Sequence, residues 1–263
     1  MGDISSIRVV KSTYYSNWGD RIGYPLARFL TVPLSKLSFV TPNGVTLTAF
    51  TLFAFGCLFL VISFPYHMIV GAILIFVGYI GDDIDGQLAR IKGESSVVGD
   101  YMDKVLDILK IFLITFFSAL SVYLTTGNIL YLFLGFVACF FFNFRYYIKL
   151  ESIFSALSRD EKYLEKSAKT RKEMEKEMDS LYMRKAKTLK EAVLFFWIKN
   201  RTILFVDEAE FALFVSLGAV LNKLDFSLWV LAVSQVILVF WRLIERGRQL
   251  RENSKDLLLP MRK

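Results

Sequence analysis

Apolar positions along this chain gather into long blocks separated by charged stretches, and most blocks are filled on all sides rather than striped. Val45 to Phe64 is uncharged and long enough, as a helix, to cross about 30 Å of hydrocarbon. Pro65-Tyr66-His67 turns the chain. Met68 to Ile80 is a shorter apolar run that leads straight into Gly81-Asp82-Asp83-Ile84-Asp85-Gly86. Val105 to Leu124 is apolar except for Asp107 and Lys110, and Thr125 to Asn128 makes the next turn. Ile129 to Phe142, extending through Tyr147, Phe211 to Leu221, and Phe226 to Trp241 complete the set. The pattern predicts an all-α integral membrane protein with six transmembrane helices.

The flanks differ in kind. Residues 1–43 hold no signal-peptide core. Between Pro25 and Pro33, which are expected to break the segment, Leu26, Ala27, Phe29, Leu30 and Val32 mix with Arg28, as in an amphipathic helix lying on the membrane surface. Residues 44–150 hold spans one to four, and 207–247 hold spans five and six. Between them 151–206 reads as a cytoplasmic helical insertion. Its 159–191 portion lacks Gly and Pro, spaces Glu165 and Lys169 for pairing, and carries a weak apolar stripe from Leu164 to Tyr182. Phe195-Phe196-Trp197 reads as an interfacial anchor, and 248–263 as a cytoplasmic tail.

Composition sharpens the class. With 54% hydrophobic residues and 22% charged, the chain is neither a soluble enzyme nor a disordered one. The net charge of +7 does not point to nucleic acid, because basic residues flanking membrane spans give the same sign. Of the three turns facing away from the termini, 65–67, 125–128 and 222–225, only Lys223 supplies a cation, out of 32 Lys and Arg. The positive-inside rule therefore puts both termini, the 92–98 loop and the insertion in the cytoplasm. Cys57 and Cys139 lie inside apolar blocks and read as packing residues. His67, the sole histidine, has no partners for a triad or a histidine metal cluster.

Chemistry concentrates between residues 82 and 107. Asp82, Asp85 and Ala89 fall at i, i+3 and i+7, one helical face, with Gly86 leaving room for a ligand to approach the backbone. Gly99, Asp103 and Asp107 fall at i, i+4 and i+8 of the next span, and residues 91–98 connect the two. The ends of adjacent helices thus point four carboxylates at one another. Such a set is costly at membrane depth unless cations neutralise it. Oxygen-rich sites suit Mg²⁺, Mn²⁺ or Ca²⁺, and Mg²⁺ commonly takes further ligands from substrate phosphates. Metal-assisted phosphoryl chemistry follows from that donor set.

Asp82-x-x-Asp85-Gly86-x-x-Ala89-Arg90, eight residues, then Gly99-x-x-x-Asp103-x-x-x-Asp107 resembles the signature of the CDP-alcohol phosphotransferase family at all eight positions. The resemblance covers 26 residues, and the 151–206 insertion departs from the smaller members. It implies an enzyme that cleaves the pyrophosphate of a CDP-alcohol donor as an acceptor alcohol attacks the distal phosphorus and CMP leaves. It implies that Asp82, Asp85 and Asp103 bind two ions, Mg²⁺ or Mn²⁺. Asp107 is then the general base and touches the second metal. It also implies that Gly86, Ala89 and Gly99 let CDP lie against the helices, that membrane lipid is a partner, and that a homodimer is one form the chain takes. The compact six-span frame resembles prokaryotic members, in which CDP-diacylglycerol is a common donor to a small polar alcohol. The alternative is a CDP-linked small alcohol, of choline or ethanolamine type, with a lipid acceptor.

Other residues hold two readings each. Arg90 contacts phosphates or simply ends a helix. Asn43 is placed like a helix cap, and also resembles a Pro-Asn element near the nucleotide of family members. Lys110 pairs with Asp107 or binds an anionic acceptor. Arg145 and Lys149 anchor the end of span four or meet an acceptor phosphate. A divalent-cation transporter would also set acids between helices, but it calls for acids or amides at mid-membrane on several spans, and the other spans hold no acid and only two amides, Gln235 and, near an end, Asn143.

Overall fold

The structure, a computed structural model, describes residues 18–169, 188, 191 and 206–251. Seven helices are bounded among them: α1 (Trp18–Ser35), α2 (Pro42–Phe59), α3 (His67–Lys92), α4 (Val97–Thr126), α5 (Leu130–Leu157), α6 (Glu208–Val220) and α7 (Leu224–Arg251). No strand occurs among the described residues. Five helices, α2 to α5 and α7, are long and apolar enough to cross a membrane, which makes this an integral membrane protein. The block expected to be the fifth span is α6. Its 13 residues cover about 20 Å at 1.5 Å per residue, short of the hydrocarbon thickness. Residues 1–17, most of the predicted 159–191 helix, Phe195-Phe196-Trp197 and the tail beyond 251 lie outside the described residues.

Two expected breaks are absent. Helix α1 runs through both Pro25 and Pro33. Both prolines are exposed, so the backbone bonds they forgo lie on the outer side of the helix, where a polar boundary can compensate. Phe29 is 79% exposed beside the exposed Leu26 and Leu30. The eight-residue connection between the two acidic faces also shrinks to four residues. Gly93 ends α3 in a left-handed conformation (φ +67°), and Ser96 caps α4 by accepting a bond from the Gly99 N–H at 3.0 Å.

By contact the chain forms two units, 1–139 with 206–233, and 140–205 with 234–263. In the first unit, α3 packs against α1, α2 and α6, and α4 packs against α2 and α6. The α2–α3 seam is lined by small residues. A Cβ at Gly78 would lie 2.7 Å from the Ala49 carbonyl oxygen, and one at Gly56 would lie 2.7 Å from the Ile75 nitrogen. Only hydrogen at those positions allows the two backbones to approach so closely. His67 is not idle: its Nδ1 lies 3.0 Å from the Phe59 carbonyl, which ties the α2–α3 turn together. Polar side chains fasten other helices to one another. Ser121 donates to Leu60 O at 2.7 Å and Ser216 to Ala72 O at 3.1 Å.

The second unit holds the last part of α5, residues 158–169 and the last part of α7. Lys166 pairs with Asp160, and Lys169 with Glu165 at 3.1 Å, the pairing its spacing predicts. On α7, Arg242 meets Glu245 at 2.6 Å.

Candidate active site

The close α2–α3 seam fixes where the acidic motif begins, because Gly81 lies against Ala49 and Asp82 follows directly. Helix α3 continues without a break through Asp82, Asp85, Gly86, Ala89 and Arg90. The short 93–96 loop then folds α4 back so that its first turns face the same place. Oxygen atoms of Asp82, Asp103 and Asp107 all lie within 4.8 Å of one another. Three of the four predicted acids therefore converge from two helices.

Asp85 stands apart from that trio. It is buried near Thr46 of α2, and its Oδ2 has no hydrogen-bond partner. A buried carboxylate oxygen without a partner is expensive unless a cation fills the gap. Asp85 also lies within electrostatic reach of Asp82 and Asp103.

Two cations face the acids. The Lys110 Nζ bonds Asp82 Oδ1 across the helix junction and Asp107 Oδ1 at 3.1 Å on its own helix. Lys104 lies 3.5 Å from Asp100 and 3.8 Å from Asp103, in solvent, where such pairs contribute little. Glu208, at the start of α6, is a fifth acid within reach of Asp107, Lys110 and Asp82. The cluster is thus under-neutralised. Two oxygens bound to one Mg²⁺ are at most about 4.2 Å apart, so small side-chain rotations bring the trio onto a hard ion. The donor set, all carboxylate oxygen, and the orphaned Asp85 Oδ2 fit such an ion.

Of the motif's two glycines, Gly86 leaves space and Gly99 is packed. A Cβ at Gly86 would meet only the Arg90 guanidinium, at 3.6 Å and beyond, an ordinary contact. Packing within the described residues therefore does not require glycine there. At Gly99 a Cβ would press on Ser96 Oγ at 3.1 Å and lie 3.7 Å from Asn43 Oδ1, which puts Asn43 beside the motif. Asn43 is not the cap of α2. Thr41 is, accepting a bond from Gly44 N at 3.2 Å, and Asn43 sits inside the first turn.

Arg90 donates to the Tyr24 hydroxyl at 3.1 Å, which links the motif to α1. Arg145 lies over the Phe142 ring and Lys149 over the Tyr146 ring, both in the second unit.

Thr46 stands with the Thr41-Pro42-Asn43 segment that opens the first span, whereas Tyr24 and Glu208 carried no local signal in the sequence. Their partners lie on other helices, 39, 66 and about a hundred positions away. The neighbouring Asp207-x-x-Glu210 does spell a capping box, which forms, and Glu210 also accepts a bond from Gly19 N at 2.7 Å. That bond fastens α1 to α6.

Acids converge where two membrane-length helices of an integral membrane protein meet, in an arrangement that could hold a metal ion. A sequence model of the family described as CDP-alcohol phosphatidyltransferase matches residues 39–241, and the chain belongs to that family. It is accordingly a transferase of phospholipid synthesis that acts on CDP-alcohols, in a family that uses divalent metals. No curated protein sequence matches the chain significantly.

Proposed function

We propose that the chain transfers a phosphatidyl group from CDP-diacylglycerol to a small polar alcohol, with release of CMP, at a site open to the cytoplasm. The observation that carries this reading is the convergence of Asp82, Asp103 and Asp107 beside the open flank of Gly86. In this reading α2 to α7 are six spans with both termini cytoplasmic. Asp82, Asp85, Asp103 and Asp107 hold two ions, Mg²⁺ or Mn²⁺. Bound there, the ions neutralise the pyrophosphate and the charge that develops on departing CMP.

The chain's own residues do the rest. Gly86, Ala89 and Gly99 give the CDP moiety a flat approach, Asn43 borders it, and Arg90 stands at its phosphate end. The exposed Val97, Val98, Tyr101 and Met102 offer apolar surface for acyl chains next to Asp103, which favours a lipid-linked donor. Asp107 accepts the proton of the acceptor hydroxyl. That oxygen forms a bond to the distal phosphorus, the bond from this phosphorus to the bridging oxygen breaks, and CMP leaves with the electron pair. Lys110 engages one Asp107 oxygen before a metal binds, and the other oxygen serves the hydroxyl.

The test separates base from ligands. Calorimetric CDP affinity with Mn²⁺ present is measured beside initial rates for Asp103→Asn and Asp107→Asn. Asp107→Asn should bind CDP near normally and lose turnover by roughly 10²–10⁴. Asp103→Asn should lose nucleotide binding itself. Equal loss of binding in both would make Asp107 chiefly a ligand.

A further inference from the structure

We propose that Lys110 is a resident counter-cation that competes with a divalent ion for the edge of the cluster formed by Asp82 and Asp107. The inference rests on the metal-dependent reading of the same site. Lys110 lies in the middle of α4 and is 5% exposed, so its ammonium does not reach out to a polar boundary as lysines near helix ends do. It is instead spent on two of the three acids that converge, one on each helix. Each of those bonds occupies one oxygen of its carboxylate, and an ammonium held at that edge repels a divalent ion arriving there. Lysine and metal therefore exclude one another at the Asp82–Asp107 edge.

The arrangement gives the apoprotein a way to hold its acids together without metal, since buried carboxylates left unpaired oppose folding. It also lowers metal affinity until a pyrophosphate supplies further negative charge. Glu208 lies within electrostatic reach of Lys110, so the displaced ammonium keeps an acidic partner. Because the two cations compete, removing one must tighten the binding of the other.

The measurement is Mn²⁺ affinity of the full-length protein in detergent without nucleotide, read from the electron paramagnetic resonance of free Mn²⁺. Lys110→Met, purified with Mn²⁺ and then stripped, should bind Mn²⁺ about tenfold tighter than the unaltered chain, or more. Its metal-free form should unfold at a lower temperature and gain more from added Mn²⁺. Lys110→Arg keeps the charge and should bind no tighter than the unaltered chain. If the methionine variant does not fold, Lys110→Gln gives the same reading.

Equal or weaker Mn²⁺ binding by a neutral variant overturns the proposal, as does an Arg variant that matches the neutral one. Absence of Mn²⁺ binding in all forms overturns it and the metal reading together. CMP release tells the two failures apart. A chain without CMP release whose neutral variant binds Mn²⁺ more tightly loses the proposed function and keeps this inference. A chain with CMP release and equal affinities does the reverse.

Discussion

Gly86 separates a residue kept small for its neighbours from one kept small for a ligand. A methyl group there meets nothing closer than 3.6 Å among the described residues, so packing tolerates it. Gly86→Ala should leave thermal unfolding in detergent nearly unchanged. If CDP lies against this face, the same methyl costs about 1–3 kcal/mol of nucleotide binding, the usual scale of overpacking. Calorimetry with CDP checks this, and unchanged affinity would remove Gly86 from the nucleotide site. At this scale the sequence was informative wherever spacing alone sets a face. The convergence of Asp82, Asp103 and Asp107 was foreshadowed because i, i+3, i+4 and i+7 place side chains on one helical face without reference to other helices. The Lys110 bond to Asp82, the Thr46 contact with Asp85 and the Arg90 bond to Tyr24 were not, because each depends on how one helix meets another.

Helix pairing sets the depth of the site. The α2–α3 seam works because Ala49 and Gly56 face Gly71, Gly78 and Gly81. A methyl at Gly78 would fall 2.7 Å from one backbone atom and 2.8 Å from another, and neither can move aside as a flexible side chain does. Gly78→Ala should therefore destabilise the protein by about 1–3 kcal/mol and weaken Mn²⁺ binding through the shift it imposes on Asp82 and Asp85. Thermal unfolding and metal titration of one sample test both effects, and a variant as stable as the unaltered chain would contradict the seam. The apolar blocks foretold which segments become helices, but not their ends. Helix α3 carries the first half of the acidic motif, Asp82 to Arg90, without a break, and α4 begins at Val97, because Gly93 and Ser96 supply stop and start signals within four residues. Pro25 and Pro33 misled for the opposite reason. A local rule predicts a break, and exposure of that face lets the helix pass through.

Across the whole molecule, the proposed function links orientation and reaction, since it has cytosolic nucleotide reach the Asp82–Asp107 face. Charge asymmetry among the turns predicts the side. A cysteine at Lys187 should react with reagents confined to the cytoplasm, and one at Lys223 only from outside. The reverse pattern would overturn the orientation. Hydropathy made the membrane class legible, whereas α6 falls short of a full span by length, so the sixth crossing rests on this labelling. The central claim is a divalent-metal-dependent transfer from a CDP-alcohol. Its most direct test is CMP release by the full-length protein in detergent, offered CDP-diacylglycerol and a panel of alcohol acceptors, before and after exhaustive chelation. The account predicts release that needs both an acceptor and a divalent ion. That release should return with Mg²⁺ or Mn²⁺, and be lost in an Asp85→Asn variant that remains folded. Undiminished CMP release after exhaustive chelation would contradict it.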